Sequence, residues 1–323
     1  MNLAILAAIL AWALAGCAGE KPEVPGSSIR KESHRTGSAE PPRFSGRRAY
    51  QFLLAQTDLG PRNPNSPGHQ QCLSYLESTL RLSADEVRLQ RFTQPGYDGE
   101  VLRLTNIIAS FRPERRDRIL LCAHWDTRPR AEHDPDSTRR GDPILGANDG
   151  ASGVAVLLEL ASLMRQSPPP VGVDIVLFDG EDYGREGDHA MYLLGSRFFA
   201  ARRPPDYVPR YGLLLDMVGD AELEILQEQT SLEYAPGAVE KVWNTAAALG
   251  IRQFVRAPGG EILDDHIPLN ESGIPTVNII DFNYPDVSHR YWHTQMDTPD
   301  KCSPESLEAV GRVITHTIYS ERE

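Results

Sequence analysis

Cysteine is scarce in this chain, four in 323 residues, and beyond Cys17 only Cys72, Cys122 and Cys302 remain. An odd number leaves at least one thiol unpaired, which excludes a disulfide framework as the scaffold. Cys122, inside the run Ile119-Leu120-Leu121-Cys122-Ala123, reads as a small buried hydrophobe. Positive charge is short as well: 33 Lys and Arg stand against 45 Asp and Glu, a formal net charge of -12. That balance excludes the basic face a nucleic-acid partner requires and leaves small molecules or peptides as partners. No internal repeat divides the chain, and its apolar first stretch, residues 1–16, is too short to span a bilayer well. The 40% apolar content is ample for one large domain with a deep core.

Residues 1–16 carry no charge, and Leu14-Ala15-Gly16 lead directly into Cys17 and a polar stretch with Pro, Ser and Gly that runs to Phe44. The pattern resembles a bacterial lipoprotein signal. It implies a signal peptide over 1–16, a lipid on Cys17 and a flexible tether over 17–44, which leaves 45–323 as the folded domain. The plainer alternatives are an ordinary signal peptide or a short anchor helix. On the lipoprotein reading the body sits on the cell envelope of a bacterium, at its periplasmic or extracellular face, and meets membrane only through Cys17.

Beyond the tether, short apolar runs alternate with longer segments of helical period, the pattern of a sheet layered between helices. Strands are predicted near Thr105–Phe111, Arg118–Ala123, Val173–Phe178, Gly212–Leu215 and Thr276–Asp281. Most are continuously apolar, as strands covered on both faces should be. Helices are predicted over Ser66–Leu80, where Ser66-Pro67 reads as a cap and first-position proline, and over Ser152–Arg165, Ala238–Leu249 and Pro304–Tyr319. Trp243 falls within the third of these as a core residue. The expected fold is a single α/β domain with a mostly parallel central sheet flanked by helices.

In such sheets ligands bind beyond the carboxyl ends of the strands, and the polar strings fall there. His124 and Asp126 follow the second strand, Glu181 and Asp182 the third, Asp216 ends the fourth, and His293 comes after the last. Asp149 lies in the small-residue string Gly146–Gly153 at a helix entrance, where glycines let the backbone approach a metal closely. The acids of Phe178-Asp179-Gly180-Glu181-Asp182 repel one another unless a cation is near. A catalytic zinc takes three protein ligands and keeps one position open. Asp149, Asp182 and His293 supply that set, and Glu181 is left free as general base or acid at its edge. Trp292, costly to expose, would wall a pocket for a small substrate group.

Each string also has a plain structural reading. His124-Trp125-Asp126 could be a hydrogen-bonded pair, Asp149 an ordinary cap, the 179–182 acids a solvated turn, and Trp292 a cover on the core edge. Asp264-Asp265-His266-Ile267-Pro268 is either an Asp-capped turn or a proton-handling network. The charged segment Arg128–Asp142 is either a cleft rim or a solvated loop.

Taken together, His124-Trp125-Asp126, Gly146–Gly153, Phe178–Asp182, Gly195-Ser196-Arg197, Leu215–Gly219, Asp264–Pro268, Trp292-His293-Thr294 and Asp297-Thr298 resemble the zinc-dependent glutaminyl-peptide cyclotransferases, which share the zinc aminopeptidase-like fold. The likeness runs from about Tyr50 to Tyr319. It implies conversion of N-terminal Gln of peptides or proteins to pyroglutamate, with one zinc on Asp149, Asp182 and His293 and Glu181 as proton shuttle. It further implies Asp216 and Asp264 as supporting acids and Trp292, Tyr284 and Asn278 around the substrate. This chain departs from the animal enzymes in carrying Asp182 where they have Glu, Asn278 where they have His, and Leu263 where they have a polar residue. These departures bear on substrate affinity more than on reaction type. Two rival readings stand beside this one. In a two-zinc aminopeptidase, His124 and Asp216 would hold a second ion with Asp149 bridging. A tethered peptide-binding protein without catalysis would have no need of an unligated Glu181.

Overall fold

In the computed structural model the described residues run from 40 to 322, so the expected signal segment and Cys17 lie outside them. The first helix, α1 (Gly46–Thr57), is capped by Ser45, whose hydroxyl accepts the Arg48 amide. Helix α2 (Pro67–Arg81) begins as the sequence predicts, with Ser66 capping and Pro67 in the first turn. The tether expected through Phe44 ends sooner: Phe44 is buried against α8 (Pro304–Tyr319), where a Cβ on Gly311 would sit 2.2 Å from its ring.

Six strands form the main sheet: β1 (Glu86–Pro95), β2 (Val101–Phe111), β3 (Arg118–His124), β4 (Gly172–Phe178), β5 (Gly212–Asp216) and β8 (Thr276–Ile280), in the order β1-β2-β4-β3-β5-β8. The β4, β3, β5 and β8 neighbours pair parallel, while β1 and β2 join antiparallel at one side. A small parallel pair, β6 (Ile225–Gln227) and β7 (Phe254–Pro258), lies apart. Every residue of β3, β4, β5 and β8 is buried, which explains why their interiors are apolar except for Asp174 in β4 and Asn278 in β8. Alternation decides which side each residue serves. Ile119, Leu121, Ala123, Leu213 and Leu215 pack into the large core with α3 (Ala151–Gln166), α6 (Pro236–Ala248) and α8, where Trp243 is buried as predicted. Leu120, Cys122 and Leu214 turn the other way, onto Phe199 of α4 (Leu194–Arg202) and Leu269 of α7 (His266–Glu271).

Helix α3 lies hard against β5 because Gly153 has no side chain; a Cβ there would meet the Leu215 carbonyl oxygen at 2.1 Å. That contact brings the start of α3, and with it Asp149, to the carboxyl ends of the strands. Cys72, Cys122 and Cys302 are all buried free thiols, where the odd count required at least one. No helix among the described residues is long and apolar enough to cross a membrane.

Candidate active site

Beyond the carboxyl ends of β3, β4 and β5 opens a cavity of about 330 Å³. Asp149, Glu181, Asp182, Asp216, Asp264, Trp292 and His293 all line it, so residues far apart in the chain converge as the strand-end argument predicts. His293 Nε2 lies 3.6 Å from Asp149 Oδ2 and 3.5 Å from Asp182 Oδ1. Those separations are long for hydrogen bonds but match the edge of a tetrahedron, about 3.4 Å, expected of ligands on zinc. Asp182 Oδ2 is buried with no hydrogen-bond partner among the described residues, a cost a cation would remove. The donor set therefore fits the metal.

Asp149 turns its other oxygen elsewhere. Its Oδ1 lies 3.3 Å from His124 Nε2, which is 3.0 Å from Asp216 Oδ1. His124, Asp149 and Asp216 thus form a second cluster of donor atoms, all within 4.8 Å of one another. His124 itself lies beneath the cavity, 1% exposed.

Two further carboxylates hold the ligand-bearing loops in place. Asp297 accepts the amides of Asn148 at 2.8 Å and Asp149 at 3.1 Å, and Asp126 accepts those of Glu181 at 3.0 Å and Asp182 at 3.3 Å. Each metal-facing Asp thus belongs to a pair of consecutive peptide groups fixed by one acid. Gly150 completes the first loop at φ +102, and a Cβ there would meet the Asp126 carbonyl oxygen at 2.5 Å. His293 holds a left-handed φ of 53, a strained backbone of the kind that collects at functional sites. Asp297→Ala should cost about 3 kcal/mol of stability, because two buried amides and the Tyr284 hydroxyl lose their acceptor together. Denaturant unfolding checks it, and a loss within 0.5 kcal/mol, roughly the scatter of surface substitutions, would refute the clamp.

Burial dominates the electrostatics. It pushes the Glu181 carboxyl well above its ordinary range, and the Asp182 charge pushes further. Asp182 is raised in the same way, against the pull of Arg128, which reaches its Oδ1. Asp216 rises to about 7 through burial, in spite of His124 beside it. His293 is held well below the usual imidazole range, by burial first and then by Arg128, so its ring is neutral and free to ligate. The Glu181 carboxylate makes no hydrogen bond among the described residues and faces the cavity. Asp264 accepts the Asn278 amide at 2.7 Å and its neighbour's backbone N–H at 2.6 Å.

Trp292 walls the cavity as expected, its ring stacked on His293 at 3.8 Å and edge-on to Phe282 at 5.1 Å. Tyr284 and Asn278 do not line it, contrary to the sequence-based expectation. Tyr284 is fully buried and donates to Asp297 Oδ1 at 2.9 Å, while Asn278, in the interior of β8, reaches only Asp264. A strand-interior residue has its direction fixed by the pleat, and here the pleat points Asn278 at the acid rather than at the substrate. His266 also turns from the cavity, bonding Glu228 at 3.1 Å. Of the 128–142 segment, Arg128 and His133 line the cavity and the stretch from 135 on is exposed. That Arg128 pairs with Asp182 and that Glu228 anchors His266 could not be read from the chain, since nothing in the local spacing marks partners 54 and 38 residues away.

A mostly parallel sheet with two carboxylates and an imidazole converging beyond its strand ends defines a metalloenzyme of the zinc exopeptidase-like fold. Residues 106–318 match the peptidase family M28. The chain belongs to that family. It is 39% identical to the glutaminyl cyclase of Bacteroides thetaiotaomicron solved with N-acetylhistamine, with a TM-score of 0.84 over 88% of this chain and 100% of the other. It is also 39% identical to a Zn-dependent exopeptidase of Parabacteroides distasonis, with a TM-score of 0.83 over 87% and 100%. The glutaminyl-peptide cyclotransferase of Bos taurus is 26% identical over 299 residues, 80% of this chain and 79% of its own length.

Proposed function

We propose that this chain is a glutaminyl-peptide cyclotransferase, turning the N-terminal Gln of peptides and proteins into pyroglutamate with release of ammonia. The observation that carries the reading is Glu181: a buried, unpartnered carboxyl facing the cavity, next to the Asp149, Asp182 and His293 set but outside it. In this reaction the free α-amine attacks the side-chain amide carbon, a new C–N bond closes the ring, and the former amide nitrogen departs. Glu181 takes the proton from the amine and returns it to that nitrogen, which leaves poorly unless protonated. Asp216 and Asp264, raised in the same buried environment, share in orienting the exchange. Trp292, Phe282, Ile262 and Leu263 form apolar wall that confines the short side chain and keeps water from hydrolysing the amide instead. Asp149, Asp182 and His293 would hold the zinc, which when bound would supply a Lewis acid for the amide carbonyl.

The test is ammonia release from a Gln-initiated dipeptide, with and without chelator. Release of free amino acids in place of ammonia would favour the second reading, a two-zinc aminopeptidase. That reading is favoured by one observation, the division of the Asp149 oxygens between His293 and His124. In the one-zinc enzyme we propose, His124 instead serves Asp216 as a hydrogen-bond partner. On location, the uncharged run before Cys17 supports a lipid-anchored envelope protein; labelled-palmitate incorporation that disappears in Cys17→Ala tests it.

A further inference from the structure

On the cyclisation reading the N-terminal Gln lies between Trp292 and the acids, and the rest of the peptide leaves through the mouth of the cavity. Two carboxylates stand there, Glu186 and Glu261, both exposed and both lining the cavity. Among the described residues neither makes an ion pair, and the nearby cations are engaged elsewhere. Arg185 lies over the Tyr97 ring at 4.2 Å and faces Asp98, Arg290 faces Asp286 at 3.6 Å, and Arg128 is committed to Asp182 and Glu132. The bases left on the lining are His133, His189 and the neutral His293. The protein's net charge of -12 adds to the negative potential around that mouth.

From this arrangement we infer that the enzyme selects substrates by charge: peptides with Lys or Arg in the one or two positions after the N-terminal Gln are preferred, and those with Glu or Asp there are disfavoured. The inference rests on the cyclisation reading and specifies its substrate class. A basic side chain leaving the cavity passes Glu186 and Glu261 and is attracted; an acidic one meets the same pair and is repelled. Exposed charges act singly by small factors. Attraction in one peptide and repulsion in the other compound, and two exposed carboxylates without ion-pair partners at the mouth favour ligands of the opposite sign.

Three peptides, Gln-Lys-Ala, Gln-Ala-Ala and Gln-Glu-Ala, assayed for ammonia release by the zinc-loaded enzyme, decide the matter. Relative to Gln-Ala-Ala, kcat/KM should be higher for the Lys peptide and lower for the Glu peptide, with about tenfold between the extremes at low salt. That ratio should shrink towards one as ionic strength rises, since exposed charges are screened. In Glu186→Gln/Glu261→Gln it should collapse even at low salt, while a salt-independent ratio retained by the double variant would overturn the inference. Equal kcat/KM for all three peptides would overturn it and leave the cyclisation reading standing; ammonia from none of them would remove that reading itself.

Discussion

Glu181→Gln cuts cyclisation roughly 10³-fold while zinc content stays as in the parent chain. A positioned proton carrier is worth about 10²–10⁴ in rate, and here one carboxyl serves the amine and the departing nitrogen in turn, which keeps the loss well above the lower end of that range. The side chain fills the same volume with an amide that can neither accept the amine proton nor return one. Because Asp149, Asp182 and His293 are the atoms that face each other at ligand spacing, metal affinity has no reason to change. KM should hold within a few fold, since the apolar wall of Trp292 and Phe282 is untouched. Ammonia release together with metal analysis measures both quantities on one sample. Retained turnover would remove the shuttle role, whereas turnover lost together with zinc would assign Glu181 to the metal.

What could be read from the chain follows from how each residue signals its surroundings. The strands β3, β4, β5 and β8 were legible because burial on both faces demands short, mostly apolar runs, broken inside only by Asp174 and Asn278, and His124, Asp149, Glu181, Asp182 and Asp216 were legible because they stand at strand or helix ends. Strand β1 was not: it lies at the sheet margin, its residues only partly covered, and Glu86, Arg88 and Arg91 break its pattern. The short helices α5 (Gln229–Tyr234) and α7 span six residues each, less than two turns, too little for a period to register. Within the site, chemistry carried by one residue type was visible, and support carried by pairs was not. Asp126 and Asp297 work by accepting backbone amides of distant loops, and an amide has no sequence identity to recognise. Tyr284 shows the same limit from the other side. As an aromatic near Trp292 it reads as a pocket wall, yet its hydroxyl, directed at Asp297, makes it a brace behind the Asp149 loop.

Stripping the metal should abolish cyclisation and, less obviously, change how the fold responds to pH. The metal-free chain holds Glu181, Asp182 and Asp216 buried, each raised above its ordinary range and Asp216 as far as about 7. An acid whose folded-state value lies above its unfolded one stabilises the fold only while protonated, so that contribution is present at low pH and lost as pH rises through the raised value. The metal-free protein should therefore melt at a lower temperature at pH 8 than at pH 6. Zinc replaces those protons with a charge that favours ionised ligands, so its binding should expel protons and strengthen as pH rises over the same window. Bound metal also adds stability by mass action. Holo protein should consequently show a higher melting temperature at both values and a smaller fall between them. Calorimetric zinc titration in buffers of differing ionisation enthalpy counts the protons, and its stoichiometry separates one zinc from two. His293→Ala should lose the single zinc and the activity together. His124→Ala should retain one zinc per chain if the Asp149, Asp182 and His293 set stands alone, but reduce two to one if Asp149 bridges. A protein indifferent to chelation, in turnover and in its melting profile, would leave those buried carboxylates without a cation to justify them.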